Sequence, residues 1–203
     1  MSHYATAIKL QENLASKVVT KDIVKKIQSI CAVDVSYKDQ GANAAAVIVD
    51  TQTLEVIDHA VSRTFIKAPY VPGLLALRES DPVLSALKLL KEGFDVLLVD
   101  GNGQLHPRKC GLACYLGIVL NKPTIGVAKS LLCGQIKGND VKLNGKNLGK
   151  IIEKRKGKKI FVSVGHNISL KTAFRLVESL IREGEWLPEP LLLADKYSKA
   201  PVS

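Results

Sequence analysis

Cys31-Ala-Val-Asp-Val-Ser-Tyr37, Asn43-Ala-Ala-Ala-Val-Ile-Val-Asp50 and the more alternating stretch from Leu54 to Phe65 follow one another with only short polar breaks. Each has the β-branched, apolar character of a strand, and Lys38 to Ala42 reads as a turn. Three strands joined this closely can only pair antiparallel, as a meander, because a parallel pair needs a long crossover. Downstream the pattern changes to helix and strand in alternation. Pro69-Tyr-Val-Pro-Gly73 is a rigid turn. Leu74 to Glu92 is predicted helical with Gly93 as its stop. Phe94-Asp-Val-Leu-Leu-Val-Asp100 is a nearly unbroken apolar run, the signature of a central strand buried on both faces.

The pattern continues with a helix from Lys109 to Leu120 and a short buried strand from Pro123 to Ala128. Asn139 to Lys159 is polar and basic, and is expected to be an exposed hairpin or loop. Ile160 to Val164 reads as a strand, and Ser169 to Arg182 as an amphipathic helix with Ser169 or Asn167 near its start. The tail from Trp186 to Asp195 is expected to pack across the surface. Upstream of the meander, Ile8, Leu14, Val18, Ile23, Val24 and Ile27 recur at helical steps. Ala5 to Ile30 therefore reads as one bent helix, or as two with Thr20 capping the second. The whole, residues 1–203, is expected to be one α/β domain with a mixed central sheet and helices on both faces.

Composition narrows the partners. The 203 residues are 46% hydrophobic, enough for a folded core. No apolar run approaches the roughly 18 residues of a membrane span. The opening Met1-Ser2-His3-Tyr4 lacks a secretory pattern, so a cytoplasmic location is expected. The 29 basic residues exceed the 19 acidic ones, for a net charge of +10, which favours a polyanion such as nucleic acid. General solubility or an acidic membrane face would account for the same charge. Cys31, Cys110, Cys114 and Cys133 show no zinc spacing and read as reduced thiols, Cys110 and Cys114 one helical turn apart in the core.

Two acids stand where acids are expensive. Asp34 interrupts an apolar strand between Val33 and Val35, and Asp100 ends another directly after Val99. An ionised carboxylate in such a place costs several kcal/mol (order of magnitude) unless a cation or hydrogen bonds compensate it. If the first and fourth strands are neighbours, these acids converge, and Glu79 can project over them from the following helix. Three hard oxygen donors without a His/Cys set favour Mg²⁺ or Mn²⁺, caged between them. The ordinary alternatives are a turn cap for the Asp residues and a solvated helix face for Glu79. The loop Asp100-Gly-Asn-Gly-Gln-Leu-His-Pro-Arg108 adds two glycines that admit close approach, with His106 and Arg108 as candidate phosphate binders. Lys129 follows a buried strand, where an ammonium calls for a phosphate or a carboxylate nearby.

Val33-Asp-Val-Ser-Tyr37, Pro69-Tyr-Val-Pro-Gly-Leu-Leu-Ala-Leu-Arg-Glu79, Val99-Asp-Gly-Asn-Gly-Gln-Leu-His-Pro-Arg108, Gly126-Val-Ala-Lys-Ser130 and Gly165-His166 occur in the order seen in the endonuclease V family, which the chain resembles over nearly its whole length. The resemblance implies an RNase H-like fold. It also implies Mg²⁺-dependent nicking (Mn²⁺ substituting) at the second phosphodiester bond 3′ to a deaminated adenine in DNA, with inosine in RNA left open. By motif, Asp34, Glu79 and Asp100 would be the metal carboxylates and His166 a catalytic histidine near them. Tyr70 would fill the gap left by an extruded base, and Gly73, Leu75, Gly101, Ala128 and Leu132 would form the base pocket. A monomer is expected. The competing reading is a module of the same fold that binds inosine without cutting.

Overall fold

The computed structural model describes residues 3–200, so Met1 and Ser2 of the N-terminal reading lie outside the described residues. After α1 (His3–Ala15) come β1 (Ser29–Lys38), β2 (Gly41–Asp50) and β3 (Val56–Phe65), then α2 (Leu75–Leu87), β4 (Val96–Asp100), α3 (Leu112–Leu120) and β5 (Thr124–Ala128). The chain continues through β6 (Gln135–Lys137), β7 (Asp140–Leu143), β8 (Lys146–Arg155) and β9 (Lys158–His166) to α4 (Leu170–Ser179) and α5 (Glu189–Lys199). The strands form one sheet in the order β3-β2-β1-β4-β5-β9-β8-β7-β6. β1, β2 and β3 are the expected antiparallel meander, and β1-β4-β5 are parallel. This is the mixed α/β, RNase H-like arrangement.

Strand alternation sorts the core into two layers. Ile30 and Ala32 of β1, with Val96 and Leu98 of β4, face α4 and α5, where Ala173, Val177, Leu191 and Ala194 are buried. Cys31, Val33, Leu97 and Val99 face the other way, onto Val83 and Ala86 of α2 and Leu112 and Leu116 of α3. Both faces are covered, which is why these strands are apolar at every position. Each fully buried Ile or Leu contributes about 1.5–3 kcal/mol. All four cysteines are free, and Cys110 and Cys114 pack against Leu14 of α1.

Four expectations are corrected. The helix predicted over Ala5 to Ile30 ends at Ala15. Beyond it the Val19 carbonyl accepts from Asn167 N, and Asp22 accepts from Ser169 and Thr172 at the start of α4. Tertiary hydrogen bonds thus replace the local helix, while Val18 and Ile27 still pack on the core. α2 stops at Leu87 rather than Glu92, because Asp58 captures the Lys91 and Glu92 amides at 2.7 and 3.0 Å. Of the two alternatives for the basic stretch Asn139 to Lys159 the hairpin holds, β7 pairing antiparallel with β8, but it is not wholly exposed: Val141, Ile151 and Ile152 are buried. The tail contains α5, which packs on the sheet through Leu191 and Ala194.

Candidate active site

The acids converge through register and parity. β1 and β4 run parallel with Val33 opposite Val99, so one residue further Asp34 stands level with Asp100. By alternation both share the face carrying α5. There Ser198 Oγ donates to Asp34 Oδ2 at 3.0 Å, and Asp195, one turn earlier on α5, adds negative charge near Asp34. Glu79 arrives from the second turn of α2 and accepts from the Tyr37 hydroxyl at 2.7 Å. The Arg78 guanidinium lies 4.1 Å from the centre of the Tyr37 ring.

This crowding shows in the protonation equilibria. Burial, then the charges of Asp34 and Asp100, hold the Glu79 carboxyl up at about 7, although the Tyr37 hydroxyl pulls it back. Burial and then Asp100 also raise Asp34, against the Ser198 hydrogen bond and Lys129. Burial, and after it the bond to Glu79, raises the Tyr37 hydroxyl. Lys129 Nζ sits 2.5 Å from Asp100 Oδ2. Burial works against its charge, yet Asp100, Asp34 and Asp195 together hold its pKa up. The sheet therefore gathers the carboxylates, but the expected ready-made cage is absent. Among the described residues no three His, Cys, Asp or Glu side chains stand close enough to hold a metal ion. Each acid is occupied instead: Asp34 by Ser198, Glu79 by Tyr37 and Asp100 by Lys129.

Beside the acids a cavity of about 100 Å³ is lined by Tyr70, Gly73, Leu75, Asn102, His106 and Leu132, among others. Tyr70 is 65% exposed at this wall, free of the core it could have joined. The buried Oδ1 of Asn102 has no hydrogen-bond partner among the described residues. Gly101 and Ala128, also expected to line the pocket, sit behind it. A Cβ on Gly101 would touch Leu75 Cδ2 at 3.5 Å, and Ala128 packs with Leu105 and Phe161. The loop after β4 lies so flat on β5 that a Cβ on Gly126 would come within 2.4 Å of Gly103 N, which leaves glycine as the residue for that position.

The endonuclease V family model matches residues 12–196. The chain belongs to the endonuclease V family. Endonuclease V of Thermofilum pendens is 45% identical over 201 residues, covering 96% of this chain and 87% of that protein. The crystal structure of endonuclease V from Streptomyces avermitilis is 33% identical, with a TM-score of 0.87 over 96% of this chain and 91% of its own. That of Ciona intestinalis endonuclease V, in complex with a 24mer DNA containing an inosine followed by a ribo-adenosine, is 31% identical. Its TM-score is 0.87 over 97% of this chain and 95% of that one. As a family member the chain is an endonuclease.

Within this endonuclease V fold one candidate, His166, lies away from the acids, while two others, His106 and Arg108, stand at the cavity but are engaged by the turn. His166 pairs with Thr124 at the start of β5, whereas Asp100 is level with Val127 near its end. Three residues of strand separate them by about 10 Å along the sheet. The buried His166 ring accepts the Val19 N–H on Nδ1 at 3.2 Å, which pins the segment after α1. His106 is 2% exposed, and burial holds its pKa down at about 4, leaving a neutral ring. Its Nδ1 accepts from Arg108 N while Nε2 donates to the Gly73 carbonyl at 3.0 Å, so both ring nitrogens are engaged within the protein. Arg108 spends Nη2 on the same carbonyl at 2.6 Å and Nε on Gln11 at 2.7 Å. These two residues brace the turn that carries Tyr70.

The sequence reading passed over Asp195 and Ser198, which α5 brings to the acids, and Gln11, which joins α1 to the Gly73 carbonyl at 3.1 Å. The only signal for the first two was their spacing of three, which puts both on one helix face. Gln11 carried no signal, being one polar residue in an amphipathic helix.

Proposed function

We propose that this endonuclease V, as one unit over residues 1–203 and as a monomer in the cytoplasm, nicks DNA at the second phosphodiester bond on the 3′ side of deoxyinosine. The products are a 3′-hydroxyl and a 5′-phosphate. The observation that carries the reading is the gathering of Asp34 and Asp100 on their strands with Glu79 from α2, where burial, and after it their mutual repulsion, raises the first and last of these toward protonation, beside a cavity under Tyr70. Perturbed carboxylates beside a cleft mark a functional site. Carboxylates that repel one another fit hard divalent cations; Asp34, Glu79 and Asp100, which do not stand close enough as they are, would have to turn from Ser198, Tyr37 and Lys129 to hold Mg²⁺, with Mn²⁺ as a substitute and Asp195 at the margin. The chemistry such ions supply is activation of a water and stabilisation of the leaving oxygen.

The chain's own groups do the rest. Tyr70 fills the gap left by the extruded base and stacks on its neighbours, offsetting part of an unstacking cost of a few kcal/mol (order of magnitude). The cavity walled by Gly73, Leu75 and Leu132 takes the hypoxanthine, and the unpartnered Asn102 Oδ1 offers an acceptor at its edge. Lys129, paired with Asp100 in this structure, stands beside the acids and would hold a phosphate there. The inosine in the DNA bound by the Ciona protein supports the same lesion here.

A labelled duplex with one deoxyinosine tests the reading, with an inosine-containing RNA in parallel. Nicking with Mg²⁺ and none with EDTA is expected. Retarded but uncut DNA would establish the binding module instead. Tyr70→Ala is expected to weaken binding to inosine-containing strands selectively, and equal weakening on ordinary DNA would remove Tyr70 from the extruded base.

A further inference from the structure

Resting on the nucleic-acid reading above, we propose that the β6–β7 hairpin is a seat for the phosphodiester backbone of the substrate flanking the extruded base, with Lys137 and Lys142 as its charges. An open cavity of about 440 Å³ there is walled by Gln135, Lys137, Lys142 and Asn144, with Gly134 and Gly145, and carries no acid. Neither lysine forms an ion pair among the described residues. The neighbouring acid, Asp140, is taken by Lys150 at 2.6 Å.

The contrast with the denser basic run Lys154 to Lys159 is informative. Lys154 pairs with Glu178 and Lys159 with Glu153, each at 3.4 Å, and Lys158 lies 5.3 Å from the centre of the Trp186 ring. That run is the more basic in sequence, but three of its five cations, Lys154, Lys158 and Lys159, are engaged within the fold. Lys137 and Lys142 make no ion pair among the described residues, although Lys142 feels the charge of Asp140, and they are flanked by two amide side chains that can donate to phosphate oxygens.

Position supplies the second argument. Leu132 lines the base cavity and Gly134 begins the hairpin cavity, so two residues of chain, at most about 7 Å, separate the rims. A strand whose base enters the first must carry its neighbouring phosphates past the second. Gly134, at φ +94°, makes the bend between them, and a Cβ there would meet the Lys142 carbonyl at 2.9 Å. The hairpin is thereby held at the pocket rim rather than swung away.

The test is binding of an inosine-containing duplex as a function of salt, in EDTA to prevent cutting. The wild type is compared with the double variant Lys137→Ala/Lys142→Ala, with the corresponding double Arg variant, and with Lys154→Ala/Lys159→Ala. Two lost phosphate contacts should reduce the slope of log K against log salt by about 1.8, at about 0.9 each. The preference for inosine over ordinary duplex should be unchanged, since backbone contacts carry no base information. The Arg variant should restore the slope, and the Lys154/Lys159 variant should barely move it. An unchanged slope in Lys137→Ala/Lys142→Ala, or an equal fall in the Lys154/Lys159 variant, would overturn the seat alone. A wild type without salt-dependent binding would overturn the nucleic-acid reading as well.

Discussion

The two ends of β5 present opposite solutions to burying polar groups. At the Thr124 end, His166 is 7% exposed, its Nδ1 is satisfied by Val19 N, and α3 packs so closely that a Cβ on Gly117 would come 2.5 Å from His166 Cβ. At the Val127 end, Asp34, Asp100 and Asp195 press on one another around Lys129, and Glu79 leans over them. One end pairs the His166 Nδ1 with a backbone amide and is closely packed. The other keeps an electrostatic deficit that nothing in the chain fully relieves. Folds concentrate such deficits where a ligand completes them, and the cost falls on stability.

Breaking the deficit should have the largest effect. We expect Asp34→Ala to lose several kcal/mol of transition-state stabilisation, on the order of 10³-fold in nicking rate, while binding of inosine-containing DNA is largely kept. Single-turnover nicking and a binding isotherm check this, and nicking at the wild-type rate would take Asp34 out of the site. At the satisfied end the pattern should invert. His166→Ala leaves the Val19 N–H unpaired and opens a void, costing about 2 kcal/mol or about 4–8 °C of melting temperature. Its nicking rate well below that temperature should stay within about threefold. A deeper loss of rate in a folded variant would return His166 to the chemistry.

The smallest effect sharpens the comparison through pH. Burial holds the Glu79 carboxyl at about 7 in the folded chain, above its ordinary value of 4.5. Between those values the folded state keeps a proton that the unfolded chain releases, so metal-free stability falls as pH rises through that window. Glu79→Gln removes the penalty. It should stabilise the metal-free protein on the order of 1 kcal/mol at pH 8, after discounting for solvent screening, and change nothing at pH 4. Thermal melts at the two pH values in EDTA decide it. A stabilisation that persists at pH 4 would point to packing instead.

Local pattern carried much of the molecule. Alternation and apolar runs marked β1 to β5 and β9, because a strand buried on one or both faces must repeat its hydrophobicity at period two. Asp34 and Asp100 stood out because a carboxylate within or at the end of an apolar strand is costly, and that cost is visible in one dimension. Five ordered motifs were enough to indicate the family. Helix periodicity misled over residues 16–28, since the same apolar spacing serves an irregular segment whose Ile23 amide donates to the Asn167 carbonyl, whose Val19 amide donates to His166, and whose Asp22 carboxylate accepts from Ser169 at the start of α4.

What only the tertiary structure decided is who meets whom. His106, Arg108 and His166 have the right chemistry for phosphate or metal, and their motifs sit beside the right strands. Whether a side chain is free depends on partners 33 to 147 residues away, the Gly73 carbonyl and the Val19 amide. The same holds for Asp195 and Ser198, placed at the acids by α5 from the far end of the chain, and for lysines spent on Glu153 and Glu178 or left open in the hairpin. Sequence shows where burial makes a charge expensive. Only the assembled sheet, by setting register and helix placement, shows which of those charges the fold neutralises and which it leaves for a ligand.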